Sequence, residues 1–375
     1  MKFTINRIEF LKALRIATGV INPRPVLPIL TGVKMELRDD TLTLTGSDGD
    51  ISIFSKIHAN DTNQLHFHEE GGVVLDAKIL LNAVSKFESE TINLEIMDGA
   101  YTKLSGGSAE ININGSNLDA YPKIEIMKND IEFNIEEERL KDLIRRTIFA
   151  VAHPGTNEDK PFLTGVNVRN KEGNLTFASS NTFRVAIASE EIYPVSDFSV
   201  TIPSKTMHEI SKHLTGMITV GVANTTASFK TKDAYIQTRL VDGLYPDLTR
   251  LAPTDTNSDF SIDQDVLVGA IDRAAIIKEE TIPVIGLVLN NQEVFVKAKS
   301  QELGSTEEKI DAILEKTYDE SLKIAFNGNY LREAVKSYPK GNVVLKVIGP
   351  KSPMIVTDSI NSKNLNIIMP LNVEV

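Results

Sequence analysis

One stretch of this 375-residue chain occurs three times. FNIEEERLKDLIRRT (133–147) aligns without gaps with FTINRIEFLKALRIA (3–17) and FSIDQDVLVGAIDRA (260–274). Phe3, Phe133 and Phe260 open the copies, and Ile5, Ile135 and Ile262 follow at the alternate spacing of a half-buried strand. The period then becomes helical: Phe10, Leu140 and Leu267 coincide, as do Leu14, Ile144 and Ile271. Asn6 and Asp263 stand at the junction, where a side-chain oxygen can cap the first free N–H groups. A second strand–helix signal also recurs. DAKILLNAVSKF (76–87) matches PSKTMHEISKHL (203–214) and NGNYLREAVKSY (327–338), each preceded by an apolar residue, Leu75, Ile202 or Phe326. Alternating runs such as TLTLTG, ISIFSKI, INLEI and AEINI, punctuated by glycine, predict antiparallel strands and hairpins. The offset is domain-sized and too long for a solenoid. Pro122, Pro246 and Pro370 recur near the repeat ends. The expectation is an α+β chain of three like domains, 1–127, 128–254 and 255–375, each with two helices on antiparallel sheets. Linkers are expected around 128–131 and 252–259.

The net charge of −11 argues at first against a polyanionic partner. Its distribution argues the other way. The six helical segments, read as 7–17, 77–87, 139–149, 204–214, 265–278 and 328–338, carry +9, which leaves −20 on the rest. The cations concerned include Lys12, Arg15, Lys86, Arg139, Lys141, Arg145, Arg146, Lys205, Lys212, Arg332 and Lys336. A strand–helix unit buries its apolar stripe on its own sheet and turns its polar stripe outward. Six such helices facing one way make a basic surface that holds phosphates without reading sequence.

Other chemistry is sparse. The chain has no cysteine, hence no disulfide, thiolate nucleophile or cysteine-ligated zinc. No apolar run is long enough for a bilayer and MKFTINRIEF has no signal-peptide core, so a cytoplasmic location is expected. There is no phosphate loop, nucleophile elbow or dinucleotide fingerprint. His66 and His68 share a strand face without an evident third metal ligand, and Asp48 and Asp50 read as a hairpin turn. The acidic stretch 302–320 reads as a solvated loop. No metal, cofactor or catalytic residue is therefore expected. A hydrolase would need a divergent loop cluster in one repeat, and a peptide scaffold without a polyanionic partner would need no basic lining; the threefold repeat and the helix charge favour neither.

MKFTI at the start, RPVLPIL (24–30), SNTFRVA (180–186), LVDGLYPDLTRL (240–251) and MPL (369–371) together resemble the bacterial DNA polymerase III beta subunit family, the sliding clamps, over the full length. The resemblance implies three domains in a crescent, two crescents closed head to tail around duplex DNA, and twelve helices lining the hole. Twelve helices about 10 Å apart give about 38 Å between opposite axes and a hole of about 28 Å, wide enough for a duplex and water. It implies DNA contacts at Arg24 and at the loop holding His153 and Lys160. It implies a groove for short peptides of the replicative polymerase alpha subunit, the clamp loader and other clamp-motif proteins. That groove would involve Leu163, Ser180, Thr182, Phe183, Arg184, Val185, Pro246, Arg250, Leu251, Ser352, Met354, Ile367, Met369, Pro370 and Leu371, with its arginines at the mouth. Thr182 and Phe183 stand where a common family variant has glycine and histidine, and Asn372 replaces a frequent arginine. The dimer joint would set Ile111 and Ile113 against Ile276 and Ile277, with Lys78 and Lys103 facing Glu302, Glu307 and Glu308.

Overall fold

The computed structural model describes residues 1–192, 195–253, 255–278, 282–290, 293–316, 321–358 and 364–373. Six helices are described: α1 (Arg7–Thr18), α2 (Ala77–Lys86), α3 (Glu137–Thr147), α4 (Ser204–His213), α5 (Gln264–Ala274) and α6 (Gly328–Lys336). Each continues directly from a strand. The Asn6 Oδ1 accepts hydrogen bonds from the Ile8 and Glu9 amides at 3.0 and 3.3 Å, and Asp263 accepts one from Val266 at 3.1 Å. Asp76 and Asn327 cap α2 and α6 in the same way. Each cap contributes about 1 kcal/mol. The second repeat has Glu136 and Pro203 at these junctions.

The chain divides into two compact units, Met1–Leu140 with Lys205–Leu240, and Lys141–Ser204 with Val241–Val375. In the first, a five-stranded antiparallel sheet runs His66–Glu69, Lys2–Asn6, Thr91–Ile96, Tyr101–Gly106, Ala109–Asn114. An eight-stranded sheet runs Ile131–Glu136, Met217–Val222, Thr226–Lys230, Ala234–Arg239, Ile51–His58, Thr41–Ser47, Gly32–Arg38, Gly71–Asp76. This larger sheet passes from one repeat into the next, with Ile53 opposite Ile236 and Ser52 opposite Gln237. Phe3, Phe10, Leu14, Leu44, Leu80 and Leu94 lie in one buried cluster beneath α1 and α2. Phe3 and Phe10 meet edge to face at 6.0 Å, so the repeated signature is a core motif before it is anything else.

In the second unit a nine-stranded sheet runs Phe198–Pro203, Gly165–Lys171, Asn174–Ser180, Arg184–Glu191, Leu365–Ile368, Met354–Asp358, Asn342–Val347, Ser258–Asp263, Ile313–Lys316. A four-stranded sheet runs Gly304–Ile310, Glu293–Ser300, Val284–Asn290, Ser321–Asn327. Here the second and third repeats share a sheet, with Val185 opposite Ile367. Phe260, Leu267, Ile271, Phe326 and Leu331 repeat the buried pattern of the first unit.

Two sequence expectations need correction. The acidic stretch is not a loop where it is described: Gly304–Ile310 and Ile313–Lys316 are strands. Its charges are answered across the ladder, Glu307 by Lys297 at 2.7 Å and Lys309 by Glu293 at 2.6 Å, while Ile310 turns into the core. Residues 317–320 of that stretch, and Thr254 of the second expected linker, lie outside the described residues. The helix bounds also differ. α3 starts at Glu137, because two glutamates suit the positive end of a helix. α5 stops at Ala274, where the Ala275 amide returns to the Ile271 carbonyl and the next two amides make tighter three-residue bonds. With these bounds the six helices carry +6 rather than +9, since Glu137 and Glu138 enter and Lys278 leaves.

Candidate functional site

The helix cations are of two kinds. Lys12 and Arg15 on α1, Lys78 and Lys86 on α2 and Lys336 on α6 are exposed. Arg24 is exposed in a turn between two prolines, its amide donating to Asn22 Oδ1 at 2.9 Å. His153 and Lys160 lie on an exposed loop, with Lys160 3.8 Å from Asp159. The other kind is engaged within the protein. Arg146 keeps only a tenth of its side chain exposed, bonds to Asp142 at 2.6 Å and Asp358 at 3.5 Å, and lies over the Tyr338 ring. Arg145 bonds to Asp142 and the Ser337 carbonyl. Lys205 bonds to Asp48 at 2.6 Å and the Val20 carbonyl at 2.8 Å. Lys212 meets Glu209 and Arg332 meets Asp272. Arg139 and Lys141 are half-buried. The sequence pattern counts these charges alike, because the partner often lies in another repeat.

The expected groove residues converge in the second unit. Leu163, Val185 and Ile367 are buried together with Tyr245 and Leu248. Phe183 (60% exposed), Leu251 and Met369 stand around them, and Pro246 and Arg250 are also exposed. The Met369 amide donates to the Phe183 carbonyl at 2.9 Å and the Leu371 amide to Ala325, which fixes the C-terminal segment beside the turn 180–184. Ser180 Oγ accepts from the Thr182 amide and donates to the Arg184 carbonyl. Thr182 has φ +76°, a left-handed conformation in which a β-branched residue is strained. The family glycine that the sequence lacks here would adopt it freely.

Asp247 lies next in sequence to Leu248 of this cluster. It accepts from the Thr249 hydroxyl at 2.6 Å and amide at 3.2 Å and lies 3.3 Å from Arg169. Those bonds, the hydroxyl first, hold its carboxyl down to about 2. It thereby caps the short 3₁₀ turn Leu248–Leu251 that carries Arg250 and Leu251.

Two groove expectations are revised. Arg184 is not at a mouth: it is 8% exposed, pairs with Glu333, donates to the Phe149 carbonyl and lies between the Phe149 and Tyr330 rings at 5.2 and 4.3 Å. It ties α6 to the turn that follows α3. Met354 is fully buried in the third-repeat core, whereas Ser352 and Pro370 are half-buried. Tyr245, Leu248 and Phe162 were missed; Phe162 packs edge to face on Tyr245 at 5.5 Å. The signal was present, since Tyr121–Pro122 and Tyr245–Pro246 recur at the same place in two repeats.

For self-association, Ala109–Asn114 and Gly304–Ile310 are both edge strands among the described residues. Ile113 is buried and Ile111 half-buried, while Ile276 is 73% exposed and Ile277 partly so. Most of the expected ionic partners are engaged within the chain: Lys103 with Glu110, Glu307 with Lys297, Glu308 with Arg273 through two bonds. Glu302 is exposed. No group of metal-ligating residues occurs among the described residues, and His66 and His68 are simply exposed. Asp48 accepts the Asp50 and Ile51 amides, as a hairpin turn requires. No described helix is long and apolar enough to cross a membrane.

Three family models cover nearly the whole chain: DNA polymerase III beta subunit, N-terminal domain over residues 1–125, central domain over 134–247 and C-terminal domain over 249–372. The chain is similar to the beta sliding clamp of Halalkalibacterium halodurans, 30% identical over 382 residues and 99% of each chain. It is 31% identical over 378 residues to that of Staphylococcus aureus, again over 99% of each. Its fold matches the DNA polymerase sliding clamp from Bacillus subtilis with a TM-score of 0.92 and 29% identity, over 100% of both chains.

Proposed function

The chain belongs to the DNA polymerase III beta subunit family, and on that premise we propose that it works as a DNA sliding clamp, a non-catalytic processivity factor of replication. Its three domains, 1–127, 128–254 and 255–375, form half of a ring, and two chains close head to tail around duplex DNA in the cytoplasm. The exposed cations Lys12, Arg15, Lys86 and Lys336, with Arg24 and the 153–160 loop, face the phosphates. Such contacts are screened and carry no sequence information, so the ring slides. The two open strand edges support closure by strand pairing between chains. The apolar floor of Leu163, Val185, Tyr245 and Ile367 receives short segments of the replicative polymerase and the clamp loader, with apolar burial supplying most of the affinity.

One observation carries this reading: a threefold strand–helix repeat, matched along its length by the family's three domains, concentrates positive charge on its helices in a chain of net −11. The test is topological. The protein, loaded on nicked circular DNA, is retained during gel filtration and released when the circle is cut. Equal retention on linear DNA would mean binding to a site rather than encirclement.

A further inference from the structure

We propose that Tyr330 and Arg184 are positioning residues of the peptide groove, holding the turn 180–184 in the strained shape that receives a partner segment. The inference rests on the groove reading above and extends it to a side chain of another repeat. Tyr330 lies on α6 and packs against the third-repeat core, apart from the buried cluster of Leu163, Val185, Tyr245 and Ile367. The turn, α6 and that cluster all belong to the second compact unit.

The turn closes on itself through side chains. Asn181 Oδ1 accepts the Phe183 and Arg184 amides, each at 3.1 Å, and Ser180 Oγ donates to the Arg184 carbonyl at 2.8 Å. Between them Thr182 is held at φ +76°, a left-handed conformation that crowds a β-branched side chain. Phe183 then stands exposed, with its carbonyl taken by the Met369 amide at 2.9 Å. Such strain persists only where the surroundings over-determine it, and it gathers at ligand clamps. Here the surroundings converge on one side chain. The Tyr330 hydroxyl accepts from Asn181 Nδ2 at 3.2 Å, and the centre of the Tyr330 ring lies 4.3 Å from the Arg184 guanidinium. The residues on both sides of Thr182 and Phe183 therefore end on the same ring. Arg184 is fixed in turn by Glu333, by the Phe149 carbonyl and by the Phe149 ring at 5.2 Å.

The first repeat supplies an internal control. Its equivalent turn has Gly49 at the position of Thr182, and glycine adopts φ +103° freely. Ile51 stands at the position of Arg184 and Thr206 at that of Tyr330, so neither anchor is present. The turn meets α4 through the half-exposed Lys205 instead. The floor beside it is polar, with buried Gln237 opposite Ser52 where the second junction sets Ile367 opposite Val185. Strain and anchors thus occur together at the junction with the apolar floor and are absent together at the other. Without the anchors Thr182 leaves the left-handed region, the binding-competent fraction falls, and the apparent Kd rises by that factor.

The test is a double-mutant cycle on the full chain, with affinity for the purified replicative polymerase alpha subunit read by surface plasmon resonance. Tyr330→Leu should weaken binding about tenfold, and Tyr330→Phe, which keeps the ring and loses the hydroxyl, about fivefold. In a Thr182→Gly background the same substitutions should each cost less than about twofold, because glycine stays in the left-handed region without an anchor. A residue that merely packs α6 would lose the same factor in both backgrounds. Should Tyr330→Leu fail to fold, Tyr330→Phe carries the comparison alone. Wild-type affinity in the Tyr330 variants, or equal losses in the two backgrounds, overturns the proposal and leaves the groove standing. A wild-type chain that does not bind, or undiminished binding by Leu251→Asp on the exposed rim, overturns the groove reading and this inference with it.

Discussion

The two junctions between successive repeats share a backbone plan and differ in what locks them. Each is an antiparallel strand pair flanked by a turn in which an Asx side chain accepts two amides, Asp48 in one and Asn181 in the other. Each turn also reaches the second helix of the following repeat, Asp48 through Lys205 on α4 and Asn181 through Tyr330 on α6. The first junction adds a half-exposed lysine pair and a polar floor. The second adds the buried Arg184, with a carboxylate, a carbonyl and two aromatic faces around one guanidinium. The two junctions thus share a backbone plan, whereas the bonds that lock each are set by a few side chains on it.

Replacing Arg184 should break that contrast most strongly. Arg184→Ala leaves the Phe149 carbonyl unpaired and a void between the Phe149 and Tyr330 rings, while Glu333 stays solvated, and is expected to cost about 2–3 kcal/mol in denaturant unfolding. Arg184→Met, which fills the space without a charge, should cost much less. A smaller effect is expected at the turn. Gly49, at the repeat position of Thr182, has φ +103° with open space where a Cβ would stand. Thr182→Gly should therefore stabilise the protein by about 1 kcal/mol, strain relief outweighing the added chain entropy. Gly49→Thr should destabilise it by a similar amount. Lys205→Ala, which opens the exposed clasp of the first junction, should change stability by no more than about 1 kcal/mol and less as salt rises.

The smallest effect distinguishes the junctions by pH. Asp247 caps the 3₁₀ turn of the second junction, while the first repeat has Lys123 at that position. Its folded pKa is depressed to about 2, so the cap's stabilisation is complete above the unfolded carboxylate pKa of about 4. It is lost as pH falls from there through the folded value. Protection of the Thr249 amide from exchange should hold down to about pH 4, fall below it, and be reduced at every pH in Asp247→Asn.

The sequence made the repeats legible because core periodicity is local: Phe3, Phe133 and Phe260 announce the same strand wherever they occur. Of the residues that the family motifs nominate for a groove, Leu163, Val185 and Ile367 share one buried cluster with Tyr245, which those motifs did not nominate although Tyr121 repeats it in the first repeat. Charge was the least legible. Arg146 and Arg184 read as surface cations on helical or turn patterns, yet Arg146 finds Asp358 and Arg184 finds Glu333 far along the chain. The acidic stretch read as a loop because its opposing lysines, Lys297 among them, become neighbours only once the strands pair.

Sedimentation of the purified protein at micromolar concentration tests the ring most directly, since no single chain of three domains encloses DNA in this account. The account predicts a species of twice the chain mass that shifts to one chain when Ile276 is replaced by aspartate. A protein that sediments as a single chain at every concentration would contradict it.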